Sequence, residues 1–271
     1  MKTFKGFFLL IFIAHFEQSH QNSIQNFDPC SSSSVTDADR IVTTLNGKIK
    51  GECYNVPITN SNDQTTDYSV FSWRGIPFAE PPTGINRFMK PVPVANWNDV
   101  KQTTEWPNAC AQTGSPSNSL DQKSEDCLYI NIFAPKDTYS NRSSELKPVM
   151  VYIPGGAFSV DSSASDIFEP STFVAYGDVI YASFNYRLGI FGFLHLNDSA
   201  ATGNMGLFDQ QLAMKWIYDN AHLFGGDKTK ITLFGESAGS WSVGFHLFIE
   251  SSFTYFRNAI MESGTPGGMC K

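Results

Sequence analysis

The stretch FGESAGS at residues 234–240 constrains the fold of this chain more than any other feature. It follows the apolar run ITL and precedes a segment compatible with a helix, so the pattern predicts a strand, a tight turn and a helix. Ser237 lies at the turn, with Gly235 and Gly239 two residues away on either side. A serine held at positive φ leaves no room for side chains at those two positions. Ser237 is therefore a candidate nucleophile; a glycine-rich turn with an idle serine is the alternative.

Backbone amides close to Ser237 could stabilise a developing negative charge. Ala238 begins the predicted helix, and the N-terminus of a helix favours an anion. A second segment, YIPGGAFS at residues 152–159, follows the apolar run PVMV, and its amides at Gly156 and Ala157 could donate hydrogen bonds. Alone, this Gly-Gly pair would indicate only a strand-to-loop turn. Combined with the serine turn, it predicts an oxyanion-binding loop.

Four short runs rich in Val, Ile and aromatic residues predict a parallel sheet: PVMVYIP, DVIYASFNY, KITLFG and NAIMES. They lack polar alternation, which is typical of strands buried on both faces. An amphipathic helical pattern lies between the second and third runs and ends at Gly225-Gly226. Upstream, Asn46-Gly47 predicts a hairpin. The chain therefore predicts an α/β fold with a mostly parallel central sheet and antiparallel N-terminal strands.

The N-terminus predicts export. MKTFKGFFLLIFIAHF has two lysines ahead of a compact apolar run too short to span a bilayer, which indicates a signal peptide over residues 1–19, cleaved near Ser19. A buried first helix is the alternative. We expect residues 20–40 to form a polar leader, loosely ordered over residues 20–38, and residues 41–271 to belong to one domain. We expect a secreted protein with no transmembrane segment, and sequons at Asn141 and Asn197 are compatible with glycosylation.

Charge and cysteine content narrow the function further. The formal net charge is −7 and no Lys/Arg cluster stands out, which argues against a nucleic-acid partner. In an exported protein the five cysteines should pair and leave one over. Cys30 and Cys53 could pair with each other, although the sequence does not decide it, and Cys270 has no evident partner.

The chain resembles the type-B carboxylesterase/cholinesterase family of α/β-hydrolases. The matching segments occur in the family's order and cover about residues 41–268: WRGIPFAEPPTGINRF, SEDCLYINIFAP, PVMVYIPGGAF, NYRLGIFGFL, GNMGLFDQQLAMKWIYDNAHLFGGD, ITLFGESAGS and FRNAIMESGTP. The resemblance implies hydrolysis of a small-molecule carboxylic ester through an acyl-enzyme, without cofactor or metal. It also implies that Ser237 is the nucleophile and that the amides of Gly156, Ala157 and Ala238 form the oxyanion hole.

The resemblance implies structural features as well. Cys110 and Cys127 match a disulfide closing a surface loop, and Arg74 and Glu125 match a structural ion pair. Pro154 stands where the family usually has His or Tyr. The loop between the two cysteines contains no aromatic residue, whereas cholinesterases hold the choline cation on an indole face there, so acetylcholine is not the expected substrate.

A serine nucleophile needs a base and an acid, which follow it in this fold in the order Ser, acid, His. His246 is the one histidine after Ser237, and we predict a structural role for it; His195 and His222 resemble loop and helix-end residues. Glu236 is expected to have a buried structural partner. We therefore expect the N-terminal half of a longer secreted esterase whose acid and histidine lie elsewhere. A non-catalytic esterase-like adhesion or binding protein and an inactive fragment are the alternatives.

Overall fold

The computed structural model describes residues 27–30, 35–114, 122–140, 145–164, 169–198 and 201–268. The predicted signal peptide at 1–19, the sequon asparagine Asn141 and the unassigned Cys270 lie outside these residues. Within them, no helix is both long enough and apolar enough to cross a bilayer.

The strands of the described residues are, in chain order, β1 (Ile41–Thr43), β2 (Lys48–Lys50), β3 (Glu52–Thr59), β4 (Thr65–Pro77), β5 (Lys101–Gln102), β6 (Ala109–Cys110), β7 (Lys123–Ser124), β8 (Tyr129–Pro135), β9 (Lys147–Ile153), β10 (Ile180–Phe184), β11 (His195–Asp198), β12 (Ala201–Thr202), β13 (Gly226–Glu236) and β14 (Asn258–Glu262). The helices are α1 (Lys136–Ser140), α2 (Ser171–Gly177), α3 (Gly189–Phe193), α4 (Met205–Asn220) and α5 (Ala238–His246). Short 3-10 turns lie at Ala38–Arg40, Gly84–Asn86, Ala221–Phe224, Glu250–Tyr255 and Pro266–Gly268.

The central sheet of the described chain has seven strands in the order β14-β13-β9-β10-β8-β4-β3. The four strands from β14 to β10 run parallel to one another. The pairings of β10 with β8, β8 with β4 and β4 with β3 are antiparallel. These parallel strands are the four apolar runs of the sequence. The predicted α/β fold, with its antiparallel N-terminal strands, is confirmed.

The predicted N-terminal hairpin is also present. β1 and β2 pair antiparallel, with Thr43 opposite Lys48 on either side of the Asn46-Gly47 turn. The amide of Thr44 donates to the Gly47 carbonyl at 2.9 Å, which closes the turn. The hairpin belongs to a three-stranded sheet of order β1-β2-β5, which is separate from the central sheet.

The core lies on both faces of the central sheet, because the inner strands bury side chains in both directions. On one face, Trp73 is fully buried with its ring centroid 5.1 Å from those of Tyr139 and Phe224. A buried ion pair joins the segment after β10 to α4: Arg187 donates to Asp209 at 2.7 and 2.8 Å. Strand β14, at one edge of the described sheet, is only partly covered.

Two disulfides join parts of the described chain. The predicted bridge between Cys110 and Cys127 is confirmed, with a Cα–Cα separation of 4.9 Å, and Cys30 pairs with Cys53 at 5.4 Å. The amide of Cys30 also donates to the Cys53 carbonyl, and Val35 is buried. The expectation of a loosely ordered leader is wrong for these residues, because they are anchored on β3.

The predicted ion pair between Arg74 and Glu125 is wrong. Arg74 on β4 pairs with Glu52 on β3, whereas Glu125 accepts two hydrogen bonds from Arg87 at 2.5 and 2.8 Å. Glu52 lies directly opposite Ser72 in the β3–β4 ladder, so a side chain two residues further along β4 is within diagonal reach. Local strand pairing therefore decides the partner of Arg74.

Candidate active site

Ser237 lies between the end of β13 and the start of α5, with φ 55° and ψ −120°. Its amide donates to the Glu262 carbonyl on β14 at 2.9 Å, and its carbonyl accepts from the Trp241 amide at 3.0 Å. Positive φ at a residue with a side chain is unfavourable and persists only where the surroundings hold it. The strand, strained turn and helix expected from GESAG are thus present, with both backbone groups of the serine fixed by neighbouring elements.

The glycines around Ser237 are required by a close approach of two chain segments. A Cβ at Gly239 would lie 2.0 Å from the carbonyl oxygen of Ile153, the last residue of β9. A Cβ at Gly235 would lie 2.7 Å from the same oxygen and 2.6 Å from the Gly239 carbonyl carbon. Side chains are excluded from both positions as expected, but the obstacle is the end of β9 and the first turn of α5 rather than the serine itself.

The loop after β9, residues 154–161, lies against the serine turn. A Cβ at Gly155 would lie 2.8 Å from the Glu236 carbonyl and 3.5 Å from the Cβ of Ser237. The loop then turns back on itself, and the Gly156 carbonyl accepts from the amides three and four residues later, at Ser159 and Val160, each at 3.0 Å. The segment expected to supply oxyanion donors is therefore beside Ser237. We call residues 154–161 the oxyanion loop.

Three backbone amides near the serine have no hydrogen-bond acceptor among the described residues. The amides of Gly156 and Ala157 donate to no backbone or side-chain oxygen there. Ala238 is the first residue of α5, so its amide has no partner within the helix. Unpaired backbone donors close to a serine could stabilise a tetrahedral oxyanion.

Two carboxyl groups at the ends of β13 and β14, Glu236 and Glu262, are harder to ionise than usual. Burial raises the pKa of Glu262, and the nearby charge of Glu236 raises it further. Partial burial also raises the pKa of the Glu236 carboxyl, with a smaller contribution from Asp161. Glu236 was expected to have a buried structural partner, but the residue is exposed. That expectation was wrong.

No histidine of the described chain is hydrogen-bonded to Ser237. His246 is fully buried on α5, with Nδ1 2.9 Å from Ser252 Oγ and Nε2 3.0 Å from Gln210 Oε1. Burial lowers its pKa to about 4. Both ring nitrogens are occupied by structural partners, as predicted, whereas His195 and His222 are exposed.

The asparagine of one of the two predicted glycosylation sequons lies within the described residues. The sequon residue Asn197 is exposed with φ 55°, in the hairpin formed by β11 and β12.

Within the described ranges, no group of three or more His, Cys, Asp or Glu side chains is arranged to hold a metal ion.

Contacts that hold the oxyanion loop were missed by the sequence reasoning. The Tyr186 hydroxyl donates to the Pro154 carbonyl at 2.9 Å, and the Gly189 amide donates to the Phe158 carbonyl at 2.7 Å. The Phe158 ring stacks at 6.3 Å on Trp241, which belongs to the helix that follows the serine. These partners are remote in sequence from the loop, and no spacing rule identifies them.

Comparisons with known proteins agree with this geometry. A family model described as the carboxylesterase family matches residues 38–269. The para-nitrobenzyl esterase of Bacillus subtilis (strain 168) is 42% identical over 238 residues, which are 86% of this chain and 45% of that protein. The acetylcholinesterase of Electrophorus electricus is 41% identical over 244 residues, which are 86% of this chain and 37% of that protein.

A solved structure of a thermophilic PNB esterase gives a TM-score of 0.73 at 41% identity and covers 84% of this chain and 44% of its own. The chain thus spans less than half the length of the relatives it matches.

Proposed function

The chain belongs to the carboxylesterase family, and on that basis we propose that it is part of a secreted serine esterase that hydrolyses small carboxylic esters with Ser237 as nucleophile. The backbone conformation and surroundings of Ser237 support this proposal most strongly. Ser237 is held at φ 55° at the end of a parallel strand, beside three amides without acceptors among the described residues. A strained serine beside unpaired backbone donors favours acyl transfer over a packing role.

The geometry supports a two-step reaction. The Ser237 hydroxyl oxygen attacks the ester carbonyl carbon, and the negative oxygen that forms accepts hydrogen bonds from Gly156, Ala157 and Ala238. Collapse of this intermediate breaks the ester bond, and the alcohol leaves with a proton. Water then attacks the acyl-enzyme, which releases the carboxylic acid and restores Ser237. The N-terminal end of α5 adds a partial positive charge where the oxyanion forms.

We place the base that takes the serine proton, and the acid that orients it, outside the described residues. His246 is hydrogen-bonded to Gln210 and Ser252, and burial lowers its pKa, which keeps it neutral. The para-nitrobenzyl esterase extends well beyond the matched part, since this chain covers 45% of it. The two disulfides support an oxidising, secretory compartment, and the exposed Asn197 is a proposed glycosylation site there.

Covalent labelling tests the proposal. The native secreted protein is treated with a fluorophosphonate, digested, and its peptides are sequenced by mass spectrometry. We expect an adduct on Ser237, lost in Ser237→Ala and retained in the control Ser251→Ala, which alters an exposed serine. A native protein that neither hydrolyses esters nor takes the adduct would refute the proposal and favour a binding protein that has kept the turn without the chemistry.

A further inference from the structure

The oxyanion loop has an unusual concentration of left-handed backbone. Gly156, Ala157, Phe158 and Asp161 have φ of 90°, 54°, 56° and 81°. Three of these residues carry a side chain, for which this conformation is unfavourable unless surrounding contacts impose it. Contacts from other segments must therefore hold the loop in the shape that presents its amides.

The Gln112 side chain forms two hydrogen bonds with the end of this loop. The Oε1 atom of Gln112 accepts a hydrogen bond from the Asp161 amide at 2.8 Å, and its Nε2 atom donates to the Asp161 carbonyl at 2.9 Å. Both backbone groups of a left-handed residue are thus bound by a single amide side chain. Nε2 also donates to the Cys110 carbonyl at 3.0 Å, which fixes the orientation of the Gln112 side chain.

Gln112 lies two residues after Cys110, in a segment that is held by a disulfide and by strand pairing. Cys110 is bonded to Cys127, and β6, which ends at Cys110, pairs with β7. The disulfide therefore fixes the position from which the Gln112 amide reaches across to the oxyanion loop. We propose that Gln112 is a positioning residue that holds the loop amides of Gly156 and Ala157 in place for the oxyanion. This rests on the proposed function.

The packing within the loop passes the restraint from Asp161 to Gly156. A Cβ at Gly156 would lie 2.0 Å from the Val160 carbonyl oxygen and 2.9 Å from the Asp161 Cβ, so Gly156 packs directly against these two residues. The chain beyond the loop is held independently, because the Asn185 Oδ1 accepts from the Ser163 amide at 2.9 Å. Loss of the Gln112 contact should therefore loosen the loop and leave the following residues in place.

Hydrogen–deuterium exchange of the whole chain tests the restraint without any turnover. Gln112→Met keeps the length of the side chain and removes all three hydrogen bonds. We expect exchange of the hydrogen-bonded amides of residues 159–161 to become about tenfold faster, as loss of roughly 1.4 kcal/mol of hydrogen bonding implies. Gln112→Glu, which still accepts from Asp161 but has no N–H to donate, should be intermediate. The control is Gln102→Met, an exposed position on β5.

A kinetic arm in the native esterase separates positioning from a merely structural role. Gln112→Met should lower kcat about tenfold and leave KM within about twofold, because the loop amides act on the transition state. Unchanged exchange in residues 159–161 would overturn the proposal, and so would faster exchange with unchanged kcat. A wild type without esterase activity would refute the proposed function alone, since exchange is measured independently of turnover.

Discussion

His246 should make the stability of this protein depend steeply on pH in mildly acidic solution. The imidazole is buried between Gln210 and Ser252, and the Gln210 amide also donates to Ser242 Oγ at 3.0 Å. Gln210 Oε1 can only accept, so Nε2 carries the proton and Nδ1 accepts from the Ser252 hydroxyl. A second proton on this ring would bring a charge into a site with no countercharge among these partners.

The direction and size of the effect follow from the depressed pKa. Burial lowers the pKa of His246 from 6.5 to about 4, so the unfolded chain binds a proton more readily than the folded one between these values. Stability from this group is complete above pH 6.5 and is lost as the pH falls toward 4. Linkage gives a loss of about 2 kcal/mol between pH 7 and pH 5, and about 3 kcal/mol at pH 4.

Urea unfolding at a series of pH values measures this directly. The wild type and His246→Gln are compared from pH 7 to pH 4.5, and the difference between their unfolding free energies isolates the imidazole from other titrating groups. The variant should be less stable at pH 7, and the gap should narrow by about 2 kcal/mol by pH 5. Gln102→Met, at an exposed position without a titrating group, should keep the wild-type slope. A gap that is constant with pH would refute the reasoning.

Three further changes test the packing around the site. Gly239→Ala places a carbon 2.0 Å from the carbonyl oxygen that ends β9 and should lower the free energy of unfolding in urea by at least about 2 kcal/mol, whereas Gly177→Ala, with its nearest neighbour at 3.5 Å, should stay within about 0.5 kcal/mol. Equal effects of the two alanines would contradict the clash. Asp209→Asn leaves the buried guanidinium of its partner uncompensated and should cost about 3–5 kcal/mol in the same titration. A midpoint equal to that of the wild type would show that no charge is buried there. Replacing Cys110 and Cys127 together by alanine should cost about 3 kcal/mol, measured by thermal unfolding without reductant, and an unchanged melting temperature would argue against the bridge.

The sequence predicted the elements of the fold because their signals are local. The four apolar runs became the parallel strands, and the Asn46-Gly47 turn joined β1 to β2. Burial of inner strands on both faces requires unbroken apolar residues, and a tight turn requires particular residue types, so both are readable within a few positions. The order of the strands in the sheet has no such local signal.

Pairings between remote residues were the part that the sequence did not determine. Arg74 was assigned to Glu125, but the ladder of β3 and β4 brings Glu52 to it, and Glu125 binds Arg87 instead. A charged side chain has several candidates of opposite sign, and backbone register selects among them. The hydrogen bonds between Gln112 and Asp161 were missed for the same reason, since the two residues are 49 positions apart.

The geometry of the candidate site depends on the register between two strands more than on any single side chain. Gly235 on β13 is the partner of Ile153 on β9, and this pairing places the start of the oxyanion loop beside Ser237. A shift of one residue would move the loop amides by about 3.3 Å, more than the length of a hydrogen bond. The glycines at 235 and 239 leave room for the Ile153 carbonyl in this register, so they allow the oxyanion loop to lie against Ser237.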